Sequence, residues 1–127
     1  MSKRILVVDD DRRARDILTR ILKKLGHYVV EAEDGGAAMA MIEAGESFDF
    51  FFSDYEMPVF NGLYLLRRVR KETRFSESQF VLMSGKLVVS EEDLRDLASV
   101  AAEFGGVFFS KPTDYPLMIE QLGLGVF

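Results

Sequence analysis

The sequence predicts an α/β fold in which a parallel β-sheet is covered by helices on both faces. Three observations lead there. Short continuous apolar runs such as Ile5–Val8 have the length and pattern of strands buried on both sides. Between them lie stretches whose apolar residues recur at helical spacing, with charged residues on the opposite face. The two kinds of segment also alternate regularly, five of each, which is the pattern of a covered parallel sheet rather than of separate helical and sheet halves.

Each element has its own justification. Ile5-Leu6-Val7-Val8 is the first strand. Ala14, Ile17, Leu18, Ile21, Leu22 and Leu25 then mark one face of the first helix, with arginines and lysines between them. Asp11 suits the N-cap of that helix, and Gly26 suits the position just past its end. "YVVEA" (Tyr28–Ala32) is the second strand, and a second helix runs through Ala37–Ile42 and ends near Gly45. Phe48–Phe52 is the third strand, and Leu63, Leu66 and Val69 mark the third helix. "QFVLMS" (Gln79–Ser84) is the fourth strand. Ser90-Glu91-Glu92-Asp93 has the form of a capping box, opening a helix that carries Leu94, Leu97, Ala98 and Ala101. Gly105-Gly106 interrupts the chain before the fifth strand, Val107–Phe109. Asp114 is the expected N-cap of a last helix with Pro116 in its first turn.

Whole-chain properties exclude several classes of function. At 127 residues, 48% hydrophobic and 29% charged, the chain is expected to form one globular domain over residues 1–127. The net charge of −5 argues against direct binding to nucleic acid, which leaves a basic footprint. Without cysteine there is neither a disulfide framework nor a cysteine-based zinc site. The apolar run Ile5–Val8 is far too short for the core of a signal peptide, and no stretch has the roughly 18 apolar residues needed to cross a bilayer. A soluble, cytoplasmic protein without membrane insertion is expected.

In an open parallel sheet the functional crevice lies beyond the carboxyl ends of the strands. The residues just past each strand are therefore the candidates: Asp9, Asp10 and Asp11, then Asp54, Ser84 and Lys111. The second strand ends in Glu31-Ala32-Glu33 and belongs further from the centre. Two carboxylates about 4 Å apart repel by roughly 4 kcal/mol at an effective dielectric of about 20. Asp9, Asp10 and Asp54 in one place therefore need neutralising. Lys111 supplies one positive charge, and a hard dication such as Mg²⁺ suits the remaining all-oxygen set. That ion could also offset charge on an incoming phosphoryl group. Local structural roles stand beside these functional ones. Asp9–Asp11 suit a helix start, Asp54 a turn, Ser84 the end of a strand, and Phe108 a core position. His27, directly after Gly26, is expected in a surface loop with no ligand role, and the methionines as core filler.

Four motifs, "VVDDD", "SDYEMPVFNG", "LMSGK" and "FFSKP", fall in this order at the ends of successive predicted strands. Together they resemble the receiver domain of bacterial two-component response regulators, of the single-domain chemotaxis-regulator type, from Lys3 to about Leu122. The resemblance implies a flavodoxin-like, doubly wound five-stranded sheet of order 2-1-3-4-5. It implies phosphoacceptor function in two-component or phosphorelay signalling. Asp54 would take a phosphoryl group from a sensor histidine kinase or a histidine phosphotransfer protein, forming an aspartyl phosphate that switches binding to a downstream partner. Asp10 would ligate Mg²⁺ directly, Asp9 mainly through water, and the main-chain carbonyl of Glu56 would add a ligand beside Asp54. Lys111 would pair with the phosphoryl oxygens, Ser84 would reach toward them, and Phe108 would change rotamer with it. The Lys111–Pro112 bond would be cis, and Met57, Gly85 and Lys86 would flank the site. Such a protein catalyses its own phosphorylation and dephosphorylation but is primarily a switch; a homodimer is left open.

The sequence also departs from the family pattern. Asn61 stands where Asp is more usual before Gly62, Phe108 lacks a hydroxyl, and the last helix is short, ending in "GLGVF". Glu56 and Lys86 lie two residues beyond Asp54 and Ser84, where they would overhang the site, pair, and shield the phosphoryl group from water. Basic residues crowd Lys3–Lys24 while Glu31–Glu56 holds acids and no bases. Solvated helix faces account for this, or Arg12, Arg13 and Arg15 help dock the phosphodonor. Two other functions compete. One is a receiver-like interaction module that works without phosphorylation. The other is a haloacid-dehalogenase-type phosphatase, for which Asp9 and Asp11 fit the motif but Arg13 does not.

Overall fold

The computed structural model describes residues 2–85, 91–111 and 114–126, with 91–95 as backbone only. Its elements are β1 (Arg4–Val8), α1 (Arg12–Lys24), β2 (Tyr28–Ala32), α2 (Gly35–Glu43), β3 (Phe50–Asp54), α3 (Gly62–Arg70), a 3₁₀ turn (Thr73–Phe75), β4 (Gln79–Ser84), α4 (Glu91–Glu103), β5 (Gly106–Ser110) and α5 (Tyr115–Gln121). All strand pairs are parallel and the sheet order is β2-β1-β3-β4-β5. This is the doubly wound, flavodoxin-like arrangement. The expected strand Phe48–Phe52 is corrected to Phe50–Asp54. Phe48 is buried but lies off the ladder, which starts where Phe50 meets Ile5 and runs on until Asp54 faces Met83. The capping box at Ser90–Asp93, the Lys86 flank and the cis bond at Pro112 lie outside the described residues.

Alternation along the strands sorts the core into two layers. Leu6, Val8, Phe51 and Leu82 pack against Ala38 and Ile42 of α2, Leu65, Leu66 and Val69 of α3, and Ala101 of α4. Ile5, Val7, Phe50, Phe52, Val81 and Met83 pack against Leu18 and Leu22 of α1 and Met118 and Ile119 of α5. Side chains that alternate across a strand reach both layers, which is why every residue of the central β3 is buried. Phe51 alone meets the rings of Phe48, Phe75 and Phe80 at centroid distances of 5.6, 5.2 and 5.6 Å. Fully burying such a ring contributes about 2 kcal/mol. The edge strands β2 and β5 keep residues exposed, Tyr28 and Val107 among them.

Helix ends follow local chemistry. Asp11, Asp34, Asn61 and Asp114 cap α1, α2, α3 and α5, each accepting a backbone N–H from the first turn. Gly26, at φ +92°, ends α1 as its position in the sequence suggests. No helix among the described residues is long and apolar enough to cross a membrane.

His27 corrects an expectation. It is buried, at 7% exposure, rather than in a surface loop. The backbone N–H of Lys3 donates to Nδ1 at 3.0 Å, so Nε2 carries the proton and donates to the carbonyl of Leu124 at 2.6 Å. One neutral imidazole thus ties the N-terminal segment to the chain after α5. His27→Ala leaves the buried Leu124 carbonyl and the partly buried Lys3 N–H without this partner, and should lower stability by about 2 kcal/mol in urea denaturation.

Candidate functional site

The sheet register builds the site. Val8 lies opposite Ser53, so Asp9 follows β1 level with Asp54 at the end of β3. Asp54 lies opposite Met83, and Ser84 lies opposite Ser110, which bring Ser84 and then Lys111 to the same edge. The backbone continues the ladder past the strands, with Tyr55 N–H to Met83 O at 2.6 Å and Lys111 N–H to Ser84 O at 2.7 Å. One carboxylate oxygen each from Asp9, Asp10 and Asp54 lie within 4.8 Å of one another. Lys111 Nζ sits 2.8 Å from Asp9 Oδ2 and 3.5 Å from Asp54 Oδ1. Asp9, Asp11, Asp54, Glu56, Gly85 and Lys111 line a shallow depression over them.

The three aspartates are not equivalent. Asp9 is buried and has both oxygens engaged, one by Lys111 and one by the N–H of Asp11 at 2.9 Å. Asp10 is exposed. Asp11 caps α1 through Arg13 N–H at 3.0 Å, as its local role predicts. Asp54, 8% exposed, has its carboxyl pushed up to about 7 by burial. Lys111 pulls it back, while Asp9, Glu56 and Asp10 raise it further. Burial lowers the affinity of Lys111 for its proton, but the hydrogen bond to Asp9 and the charges of Asp54 and Asp9 outweigh it, and the net shift is upward. Burial sets the Asp54 shift first, and Asp9, Glu56 and Asp10 add to it, so the cluster favours additional positive charge. The donors are all carboxylate oxygens at close range, which fits a hard dication such as Mg²⁺.

The surroundings shape the depression. An added Cβ at Gly62 would stand 2.4 Å from the carbonyl oxygen of Asp54, so only glycine lets α3 start this close to β3. At Gly85 it would stand 2.9 Å from Lys111 Cβ, and glycine there lets the lysine lie across the site. Between Asp54 and Gly62 the chain turns sharply. Phe60 N–H bonds to Pro58 O at 2.9 Å, closing a three-residue γ-turn over Val59 at φ +73°. Val59 is the sole non-glycine residue with positive φ among those described, and a β-branched side chain is strained there.

Other expected positions fall as follows. Met57 is half-buried against the α2/α3 layer. Phe108 is half-buried in β5 opposite Leu82, one same-face step before the Ser84–Ser110 pair. The two accounts of the first-helix arginines divide by residue. Arg12 and Arg13 are exposed, whereas Arg15 donates to the carbonyl of Asp9 at 2.7 Å and meets Glu31 at 3.1 Å. Arg15 therefore braces the loop after β1. Sequence reasoning placed the Glu56 side chain at the site but not its bond to Ser84, and it missed Tyr115. Glu56 turns inward, its Oε1 accepting from Ser84 Oγ. Half-buried Tyr115, at the start of α5, has its phenol pushed up by burial first; Lys111 opposes this, and Asp9, Asp54 and Asp11 add to it, which sets the ring near the charged cluster. Its only signal was its place four residues past Lys111.

Comparison with known proteins agrees with this geometry. The family model described as response regulator receiver domain matches residues 5–122. Chemotaxis protein CheY of Pseudomonas aeruginosa is 37% identical over 121 residues, covering 94% of this chain and 92% of that protein. A CheY-like receiver domain protein from Methanospirillum hungatei superposes with a TM-score of 0.80 at 27% identity, over 97% of this chain and 92% of its own. The response regulator TrrA of Thermotoga maritima, solved in complex with Mg²⁺ and BeF, superposes at 0.75 with 26% identity, over 95% and 96% of the two chains.

Two outcomes follow from the site's energetics. Val59→Gly should raise stability by about 1 kcal/mol, read as a higher urea midpoint, because glycine meets φ +73° without strain. Asp54 ordinarily titrates at 3.8 and here at about 7, so between these values the unfolded chain has lost a proton that the folded one keeps. Its ionisation therefore destabilises the fold progressively as pH rises through that window, with no penalty below it and the full penalty above. In magnesium-free buffer, Asp54→Asn should match the parent near pH 4 and exceed it in stability above pH 7.

Proposed function

The chain belongs to the response regulator receiver family, and from that premise we propose how its own residues carry the phosphoacceptor function of two-component signalling. Receiver domains bind Mg²⁺ at an aspartate cluster, and CheY-like receivers interact with histidine kinases and with downstream proteins. In this chain Asp54 is the phosphoacceptor. Its ionised carboxylate attacks the phosphorus of a phosphohistidine, the P–N bond breaks toward the imidazole, and an aspartyl phosphate remains. Asp10 and Asp54, with the main-chain carbonyl of Glu56, would hold Mg²⁺ directly, and Asp9 would act through water. This order is supported by Asp9 already being engaged at both oxygens and Asp10 standing at the surface. Magnesium bound there would offset charge on the phosphoryl oxygens.

Lys111 performs two tasks. It holds Asp9 in place, and its ammonium, already 3.5 Å from Asp54, meets the phosphoryl oxygens as they arrive. Ser84 donates to them once the group is bound, and Phe108 repacks with it. The observation that carries this reading is the convergence of Asp9, Asp10 and Asp54 with Lys111 at the carboxyl edge of the sheet. No observation favours the phosphorylation-independent module. The dehalogenase-type phosphatase fares worse, since Asp11, which would be its second catalytic aspartate, is engaged as a helix cap. The phosphodonor is a histidine kinase or phosphotransfer protein in the cytoplasm. Exposed Arg12 and Arg13 are available to approach it, and Arg15 is not.

Incubation with Mg²⁺ and acetyl phosphate should give base-labile incorporation of phosphate. Asp54→Asn should abolish it, and Lys111→Ala should slow it by about a hundredfold. Undiminished incorporation in Asp54→Asn would remove the reading.

A further inference from the structure

One arrangement beside the site is not absorbed by the phosphoacceptor chemistry. Ser84 Oγ donates to Glu56 Oε1 at 2.5 Å, joining the end of β4 to the loop after β3. Ser84 is 2% exposed. The second oxygen, Glu56 Oε2, is buried with no hydrogen-bond partner among the described residues. The side chain borders the depression that holds Asp9, Asp54 and Lys111, and its charge helps raise the Asp54 carboxyl.

Two physical constraints follow. A serine hydroxyl has a single hydrogen to donate. While it points at Glu56 it cannot point at a phosphoryl oxygen on Asp54. Moreover, an ionised carboxylate accepts and does not donate. Once Ser84 leaves, neither oxygen of Glu56 has a partner among the described residues, and beside a phosphoryl group of the same charge the carboxylate is better placed in solvent. Departure of the hydroxyl and expulsion of the carboxylate are thus one event.

We infer that the Ser84–Glu56 hydrogen bond is a latch that holds the switch hydroxyl away from the phosphoryl site until phosphorylation breaks it, with Glu56 as a positioning residue acting through Ser84. The inference rests on the phosphoacceptor reading. The latch makes occupancy of the phosphoryl site less favourable than the site's other groups would allow. It also adds the movement of Glu56 to the surface changes that accompany phosphorylation, next to Met57 and Gly85.

The test is a double-mutant cycle read by ¹⁹F NMR titration of beryllofluoride, a phosphoryl mimic, with Mg²⁺. Glu56→Ala should tighten binding about tenfold, since a hydrogen bond to a charged group no longer has to be broken. In a Ser84→Ala background the same substitution should give a clearly smaller gain, because there is no latch left to release. Glu56→Gln keeps an acceptor for the hydroxyl while removing the charge, and should fall between parent and Glu56→Ala. In the ligand-free protein, the Ser84 Hβ couplings should report one rotamer in the parent and averaging in Glu56→Ala. An equal gain in both serine backgrounds would reduce Glu56 to simple charge repulsion and overturn the latch, as would no gain at all. Asp54→Asn separates the two levels. If it binds beryllofluoride as well as the parent does, the phosphoacceptor reading itself fails.

Discussion

The parallel register of β1, β3, β4 and β5 is the constraint on which the site depends. Hydrogen bonding level by level brings Asp9, Asp54, Ser84 and Lys111 to one edge whatever their side chains would prefer. The strands cannot slide to relieve the repulsion between Asp9 and Asp54. A shift of one residue would exchange Phe51 with Phe50 and Phe52 between the two layers and misfit the packing of both. The strain therefore stays in the side chains. Burial above all, with the charges of Asp9, Glu56 and Asp10 added to it, leaves Asp54 reluctant to give up its proton. Against the effect of burial, the carboxylates of Asp9 and Asp54 make Lys111 keep its own firmly. A site in this condition is ready for a dication and for the transfer of a charged group, because both resolve a conflict the backbone imposes.

The loops around the edge serve that constraint. Gly62 lets α3 start against the carbonyl of Asp54, and the γ-turn at Val59 reverses the chain in the few residues between. Arg15 holds the carbonyl of Asp9 from the far side, so the loop after β1 is braced by one cation and its side chain engaged by another. The rigid part of the site is thus its centre, β1 and β3. The edge strand β5 is half-exposed, and Phe108 within it is only partly covered. A change begun at Asp54 meets least packing resistance on the side of Ser84 and β5. That asymmetry suits a switch in which the acceptor stays still and the reporting surface moves.

Much of this was legible in advance for identifiable reasons. Strands such as Arg4–Val8 and Gln79–Ser84 were readable because burial on both faces demands continuous apolar runs, and the helices because burial on one face imposes a 3.6-residue period. Asp9, Asp10, Asp54 and Lys111 were readable because, in a parallel sheet, position past a strand's end is position in space. The start of β3 was misread at Phe48, since apolar character marks burial and not membership of the ladder. His27 was misread for the opposite reason: polarity and a neighbouring glycine suggest a loop, and nothing nearby reveals that Lys3 and Leu124 converge on its two nitrogens.

The sequence by itself determined the number, order and kind of elements, the acidic and basic tips of the strands, and through its motifs the family. These depend on local pattern and on chain position, which a sequence carries directly. The tertiary structure alone decided which partner each polar side chain meets. It turned Glu56 inward to Ser84, bound Asp9 to Lys111 more closely than Asp54 is, drew Arg15 into the frame, and set Tyr115 beside the charges. Such choices are made between groups far apart in the chain, through hydrogen bonds a few ångströms long, and no local period or propensity encodes them.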